Sequence, residues 1–114
     1  MTFDEYQKKA ITTDVFKNGT PIVTDPAFFS KILGLAGESG EVADKFKKIL
    51  RDKNGILSED DVKEIIKELG DVLWYINIIS SYMGATLEQV AKSNLDKVLG
   101  RKERDLIKGS GDNR

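Results

Sequence analysis

Residues Ser58 to Gly84 read SEDDVKEIIKELGDVLWYINIISSYMG. Their apolar side chains Val62, Ile65, Ile66, Leu69, Val72, Leu73, Ile76, Ile79 and Met83 recur every three or four residues, the period of a helix and not of a strand. Ser58 followed by three acids is a helix start, because a hydroxyl caps the first N–H groups and negative charge suits that end of the dipole. Gly84 is the expected C-cap. Beyond Asp71 the helix is apolar almost all round, through Leu73, Trp74, Tyr75, Ile76, Ile78, Ile79 and Tyr82. Such a helix has to be covered on more than one side. One small chain has too few helices for that, which predicts a homo-oligomer, a homodimer or a homotetramer.

Working outward, Thr2 with Glu5 forms a capping box and opens a first helix expected to run to about Phe16. Lys17 to Thr24, with Asn18-Gly19 and Pro21, reads as a loop. Asp25 and Pro26 are a favoured cap and first position for a second helix, which ends near Asp52 before Asn54-Gly55. Its apolar residues Ile32, Ala36, Val42, Ala43, Phe46, Ile49 and Leu50 keep a period near 3.6. Thr86 and Gln89 open a fourth helix, expected to reach about Ile107. The expected fold is all-α and four-helix bundle-like, with the second and third helices as a long antiparallel hairpin. Residues 1–108 form one domain, and 109–114 a flexible tail.

With 18 basic and 19 acidic residues the net charge is -1, so no field gathers a nucleic acid polymer or a membrane surface. There is no cysteine and no histidine. Thiolate chemistry, sulfur-ligated zinc, imidazole ligands and the commonest general base are thereby excluded. The N-terminus has an acidic start with no apolar run behind it, and Val72 to Ile79 is far shorter than the ~20 residues that span a bilayer. A soluble, cytoplasmic protein is expected.

Glu38 and Glu41 are three residues apart, as are Glu68 and Asp71, so each pair shares a helix face. Facing pairs across a hairpin would offer all-oxygen ligation to a hard divalent cation. Spacing alone is weak evidence, since Glu41/Asp44 and Asp61/Glu64 repeat it and a solvated face explains such pairs equally well. Two features favour a site. Both pairs flank their apolar stripes, where helix faces converge. Gly34, Gly37, Gly40 and Gly70 accompany them, each costing about 1 kcal/mol against alanine within a helix. Close approach of a ligand or a partner helix would offset that cost; a bare packing contact would do so too.

Gly34-Leu35-Ala36-Gly37-Glu38-Ser39-Gly40-Glu41-Val42-Ala43-Asp44, with Lys47-Lys48 after it, resembles the first motif of MazG-like nucleotide pyrophosphohydrolases. Lys67-Glu68-Leu69-Gly70-Asp71-Val72-Leu73-Trp74-Tyr75 resembles their second. The resemblance covers roughly residues 30 to 105. It implies a helical bundle with Glu38, Glu41, Glu68 and Asp71 as ligands to Mg2+, for which Mn2+ could substitute. It also implies hydrolysis of (deoxy)nucleoside triphosphates to monophosphate and pyrophosphate.

On the fourth helix Asn94, Lys97 and Arg101 share a face with Leu87, Val90, Ala91 and Val98. Inward cations need an anionic partner. A triphosphate is one, and a salt bridge to the acidic cluster is the other reading. The run Asn-x-x-Lys-x-x-x-Arg resembles phosphate-contacting runs of the family. Tyr75, one turn past Asp71, is a candidate to stack on the base, Trp74 is expected to point into core or interface, and Lys48 is a weaker phosphate candidate. Attack at the α-phosphorus would use Glu38 or Glu41 as proton acceptor, with Lys97 and Arg101 offsetting charge on the leaving pyrophosphate. The rival readings are a specialised hydrolase of the same superfamily acting on dUTP, dCTP or phosphoribosyl-ATP, and a non-catalytic helical nucleotide-binding or interaction module. A di-iron bundle normally requires Glu-x-x-His, which this chain lacks.

Overall fold

A computed structural model describes residues 1–17, 23–105 and 108–112. Among these residues there are four helices and no strand: α1 (Phe3–Ile11), α2 (Pro26–Asp52), α3 (Glu59–Tyr82) and α4 (Leu87–Glu103). Every start uses the cap offered by the sequence. Thr2 and Glu5, Ser58 and Asp61, and Thr86 and Gln89 form reciprocal capping boxes, and the Asp25 carboxylate accepts the Ala27 N–H. Gly84 sits at φ 74°, with its N–H on the Ser81 carbonyl and the Ala85 N–H on that of Ser80. That is a Schellman ending, for which glycine is suited because it lacks a Cβ.

Two helices are shorter than expected. α1 stops at Ile11 rather than near Phe16, because Thr12 and Thr13 turn their hydroxyls back onto the Lys9 and Ala10 carbonyls at 2.6 and 2.7 Å. The Thr13 and Asp14 N–H groups then bond three residues back, and the Asp14 carboxylate accepts the Phe16 N–H. Side chains here displace the helical ladder. α4 stops at Glu103, two residues before Asp105 takes a left-handed φ of 55°. Ile107 lies outside the described residues, as does most of the expected loop from Lys17 to Thr24.

α2 and α3 pack antiparallel, with successive pairings that run in opposite directions: Gly34 against Tyr75, Lys45 with Glu68 at 3.7 Å, and Lys53 with Asp61 at 2.7 Å. Ile49 and Ile65 are buried in this seam. α1 lies across the far end of α3. There Phe28 stacks on Tyr82 at 5.0 Å, and Gln7 bonds the Ala85 carbonyl and the Leu87 N–H. α4 packs on α1 and α3 without touching α2. Much of the predicted core is therefore uncovered in one chain. Phe46, Leu50, Ile66, Leu69 and Met83 are all exposed, because no second layer lies over these stripes. The radius of gyration is 16.8 Å, against about 13 Å for a closed domain of this length. No described helix is long and apolar enough to cross a membrane.

The α3 cap has a measurable acid signature. The Lys53 ammonium, together with the Ser58 N–H and hydroxyl, holds the Asp61 carboxyl down at about 2, from an ordinary 3.8. A lowered folded-state value gives stability that is complete above the ordinary value and is lost as pH falls towards the folded one. Stability should fall between pH 4 and pH 2 less steeply in Asp61→Asn than in the natural chain, read by thermal denaturation at each pH. Parallel curves would contradict this role.

Candidate functional site

The hairpin register brings Glu38 of α2 against Glu68 and Asp71 of α3, with one carboxylate oxygen of each within 4.8 Å of the others. Glu38 and Glu68 are half-buried and Asp71 is exposed. Partial desolvation pushes the Glu38 carboxyl above its usual range, and the charges of Asp71, Glu68 and Glu41 push it further. Glu41, the fourth predicted ligand, stands one turn along α2, exposed and outside that tight set, though its charge reaches Glu38.

The other acidic pairs behave differently. Asp44 is bonded by Lys48 and Lys47, which lower its carboxyl to about 2. Lys53 neutralises Asp61, and Lys67 neutralises Glu64. Glu38, Glu68 and Asp71 have one nearby cation among the described residues, Lys45 at 3.7 Å from Glu68. Three hard oxygen donors with so little compensating charge fit a divalent cation such as magnesium or manganese.

Trp74 and Tyr75 line a hollow of about 280 Å3 with Glu38 and Asp71. Tyr75 is where its spacing put it. Trp74, expected to point away from this face, lines the hollow as well. Lying three residues past Asp71, it shares that face, and its indole N–H donates to the Thr13 hydroxyl at 2.8 Å. The two rings meet edge to face at 4.9 Å.

The glycines divide in the same way. A Cβ on Gly34 would land on the Tyr75 ring, so this glycine admits the aromatic wall of the hollow. A Cβ on Gly37, Gly40 or Gly70 would meet nothing within 4 Å. Their cost to the helices is not offset by any contact within the described chain.

The basic face of α4 forms a second centre. Arg101 is 7% exposed, and its Nη2 donates to the carbonyls of Gly111 and Asp112 at 3.2 and 2.9 Å and to the Asp112 carboxylate at 3.3 Å. Lys97 reaches the same carboxylate at 3.2 Å. The anionic partner of these cations is thus Asp112 of the chain's own tail, not the acidic cluster. Lys97 and Arg101 hold the Asp112 carboxyl below its usual range. Asn94 and Lys97 line a hollow with Gln89, Val90 and Ser93, separate from that of Glu38 and Asp71. Lys48 bonds Asp44 at 2.7 Å and faces a third hollow with Ile49 and Asp61.

Sequence reasoning also missed a buried ion pair between Lys31 and Asp14, at 3.0 Å. Nothing in the spacing signals it, because the two residues lie on different elements and meet only after α1 has turned.

The family described as the MazG nucleotide pyrophosphohydrolase domain matches residues 29–105. The chain is also similar to a protein of Mycobacterium phage L5 described as "Gene 37 protein", with 39% identity over 114 residues and the whole of both chains covered. No solved structure gives a significant match.

The glycine contrast is directly testable. Gly34→Ala should lower the melting temperature and shift the fluorescence of Trp74, whose ring meets Tyr75. Gly37→Ala should leave the isolated fold intact or stabilise it by up to about 1 kcal/mol through helix propensity. Equal stability and unchanged fluorescence in Gly34→Ala would contradict the packing described.

Proposed function

The chain belongs to the MazG nucleotide pyrophosphohydrolase family, and we propose that it hydrolyses (deoxy)nucleoside triphosphates to monophosphate and pyrophosphate with Mg2+, or Mn2+ in its place. The observation that carries this reading is the convergence of Glu38, Glu68 and Asp71 within 4.8 Å, where the neighbouring Asp44, Asp61 and Glu64 are each paired with a lysine. These three would hold the cation, with Glu41 joining from the next turn of α2. A divalent cation there supplies charge to offset the phosphates and makes water more acidic.

The remaining chemistry falls to the chain's own side chains. A water oxygen attacks the α-phosphorus, the bond from that phosphorus to the bridging oxygen breaks, and pyrophosphate leaves. With no histidine in the chain, a carboxylate takes the water's proton. Glu38 or Glu41, both on the α2 face beside the cation site, is that acceptor. Lys97 and Arg101, with Asn94 beside them, hold the phosphates. Their grip on the Asp112 carboxylate and two carbonyls is that of cations built for an oxyanion. Tyr75 faces the nucleoside, and Lys48 is left with a structural pairing to Asp44.

The acting species is a homodimer or homotetramer. The chain exposes 8243 Å2, whereas a folded monomer of its mass exposes about 6,200 Å2. The excess of about 2,000 Å2 per chain exceeds the ~800 Å2 per partner of a standard interface and falls in the range of obligate homo-oligomers.

Incubation with each nucleoside triphosphate and magnesium, with products resolved by chromatography, tests the reaction. Monophosphate and pyrophosphate are expected. Glu38→Gln should reduce kcat by about 100-fold or more while remaining folded, and the active species should sediment above monomer mass. Diphosphate with orthophosphate, or no turnover of any nucleotide, would sink the proposal.

A further inference from the structure

Beside α1 a hollow of about 130 Å3 opens between Ile11, Asp14, Lys17, Ile78, Ser81 and Tyr82. Mostly apolar walls with a few convergent polar groups are the composition of a small-molecule seat. The space is about ten times what a single water needs.

Asp14 is 6% exposed. Its Oδ1 takes the Lys31 ammonium at 3.0 Å and the Phe16 N–H at 3.3 Å. No described residue donates to its Oδ2. Lys31 is equally buried, donates to the Phe16 carbonyl and lies over the Phe16 ring at 5.3 Å. The carboxylate is therefore held in place at the wall of a hollow, and among the described residues its Oδ2 keeps its capacity to accept. A buried ion pair of this kind carries a desolvation cost that hydrophobic residues would not, so stability alone is a poor reason for it.

Trp74 borders the carboxylate cluster and touches the segment next to Asp14. Its ring lines the space beside Glu38 and Asp71, and its N–H bonds Thr13, the neighbour of Asp14. Ile78 lies seven residues beyond Asp71 on nearly the same face of α3, about 10 Å along the axis. A nucleotide with its phosphates at the cluster brings its base to the level of the hollow.

We propose that this hollow seats the nucleobase, and that Asp14 selects bases that carry an exocyclic amino group. The proposal rests on the nucleotide-hydrolase reading above. Cytosine, adenine and guanine can each donate an amino N–H to Oδ2 of Asp14. Uracil and thymine present a ring N–H between two carbonyl oxygens, which would face the carboxylate's lone pairs. Ser81, able to donate or accept, and Lys17, a donor, complete the polar edge.

The test compares dCTP, dATP and dGTP with dTTP and dUTP in the natural chain and in Ser81→Leu, which fills the hollow. The natural chain should prefer the amino-bearing bases by at least about tenfold in kcat/KM, the size of one charged hydrogen bond. Ser81→Leu should weaken every nucleotide by about tenfold or more, because the filled hollow no longer buries the base. Tripolyphosphate with magnesium, which has no base, should bind both proteins alike. No preference among bases, unchanged nucleotide affinity in Ser81→Leu, or an equal loss of tripolyphosphate would overturn the proposal. Titration of non-hydrolysable analogues against Trp74 fluorescence separates the two readings. Base-selective binding without turnover would defeat the hydrolase and keep the seat, whereas no binding of any nucleotide would defeat both.

Discussion

Glu38, Glu68 and Asp71 repel one another, and nothing in their own chemistry would gather them within 4.8 Å. The α2–α3 seam does so. Ile49 and Ile65 are buried in it, Lys53 and Asp61 tie its turn end, and Tyr75 closes against Gly34 towards the other. Burial of apolar surface in that seam outweighs the electrostatic cost, as it can when a buried aliphatic side chain contributes roughly 1.5–3 kcal/mol. Partial burial, and after it the charges of Asp71, Glu68 and Glu41, raise the proton affinity of Glu38. A hairpin that spends packing energy to hold three carboxylates beside a single lysine among the described residues has the donor set a divalent cation requires, and the aromatic wall of Trp74 and Tyr75 borders the same space.

Most of the helical framework was legible in the residues. The Thr2, Asp25, Ser58 and Thr86 caps, the left-handed Asn54, Gly55 and Gly84, and the antiparallel hairpin all follow from local chemistry. The end of α1 was missed because hydroxyl bonds from Thr12 and Thr13 compete with the ladder, an effect that apolar periodicity does not contain. Spacing marked the carboxylate pairs without ranking them; the ranking came from where the lysines point. Trp74 shares a face with Asp71 by simple helical arithmetic, and its reading as core gave too much weight to its hydrophobicity. The Asp14–Lys31 pair depends on a chain turn and could not be read from either residue.

The chain also divides its charged clusters between surfaces. Acidic groups lie on the hairpin, cations lie on α4, and in one chain they line different hollows. Asp112 meanwhile occupies the cations. Exposed Phe46, Leu50, Ile66 and Leu69, and the open Gly37, Gly40 and Gly70, leave the α2–α3 hairpin without a neighbour on much of its surface. The proposed assembly would cover such faces and account for an extent of 45 × 41 × 31 Å in so short a chain.

The central claim is that the Glu38, Glu68 and Asp71 cluster is an electrostatic strain relieved by a divalent cation. Thermal denaturation of the natural chain and of Asp71→Asn, each in chelator and in excess Mg2+ or Mn2+, measures this directly. Asp71→Asn should be the more stable protein without metal. Metal should raise the melting temperature of the natural chain, by linkage worth about 2.7 kcal/mol at a hundred times Kd, and raise that of the variant far less. A natural chain indifferent to metal, or a variant that gains nothing in chelator, would contradict it.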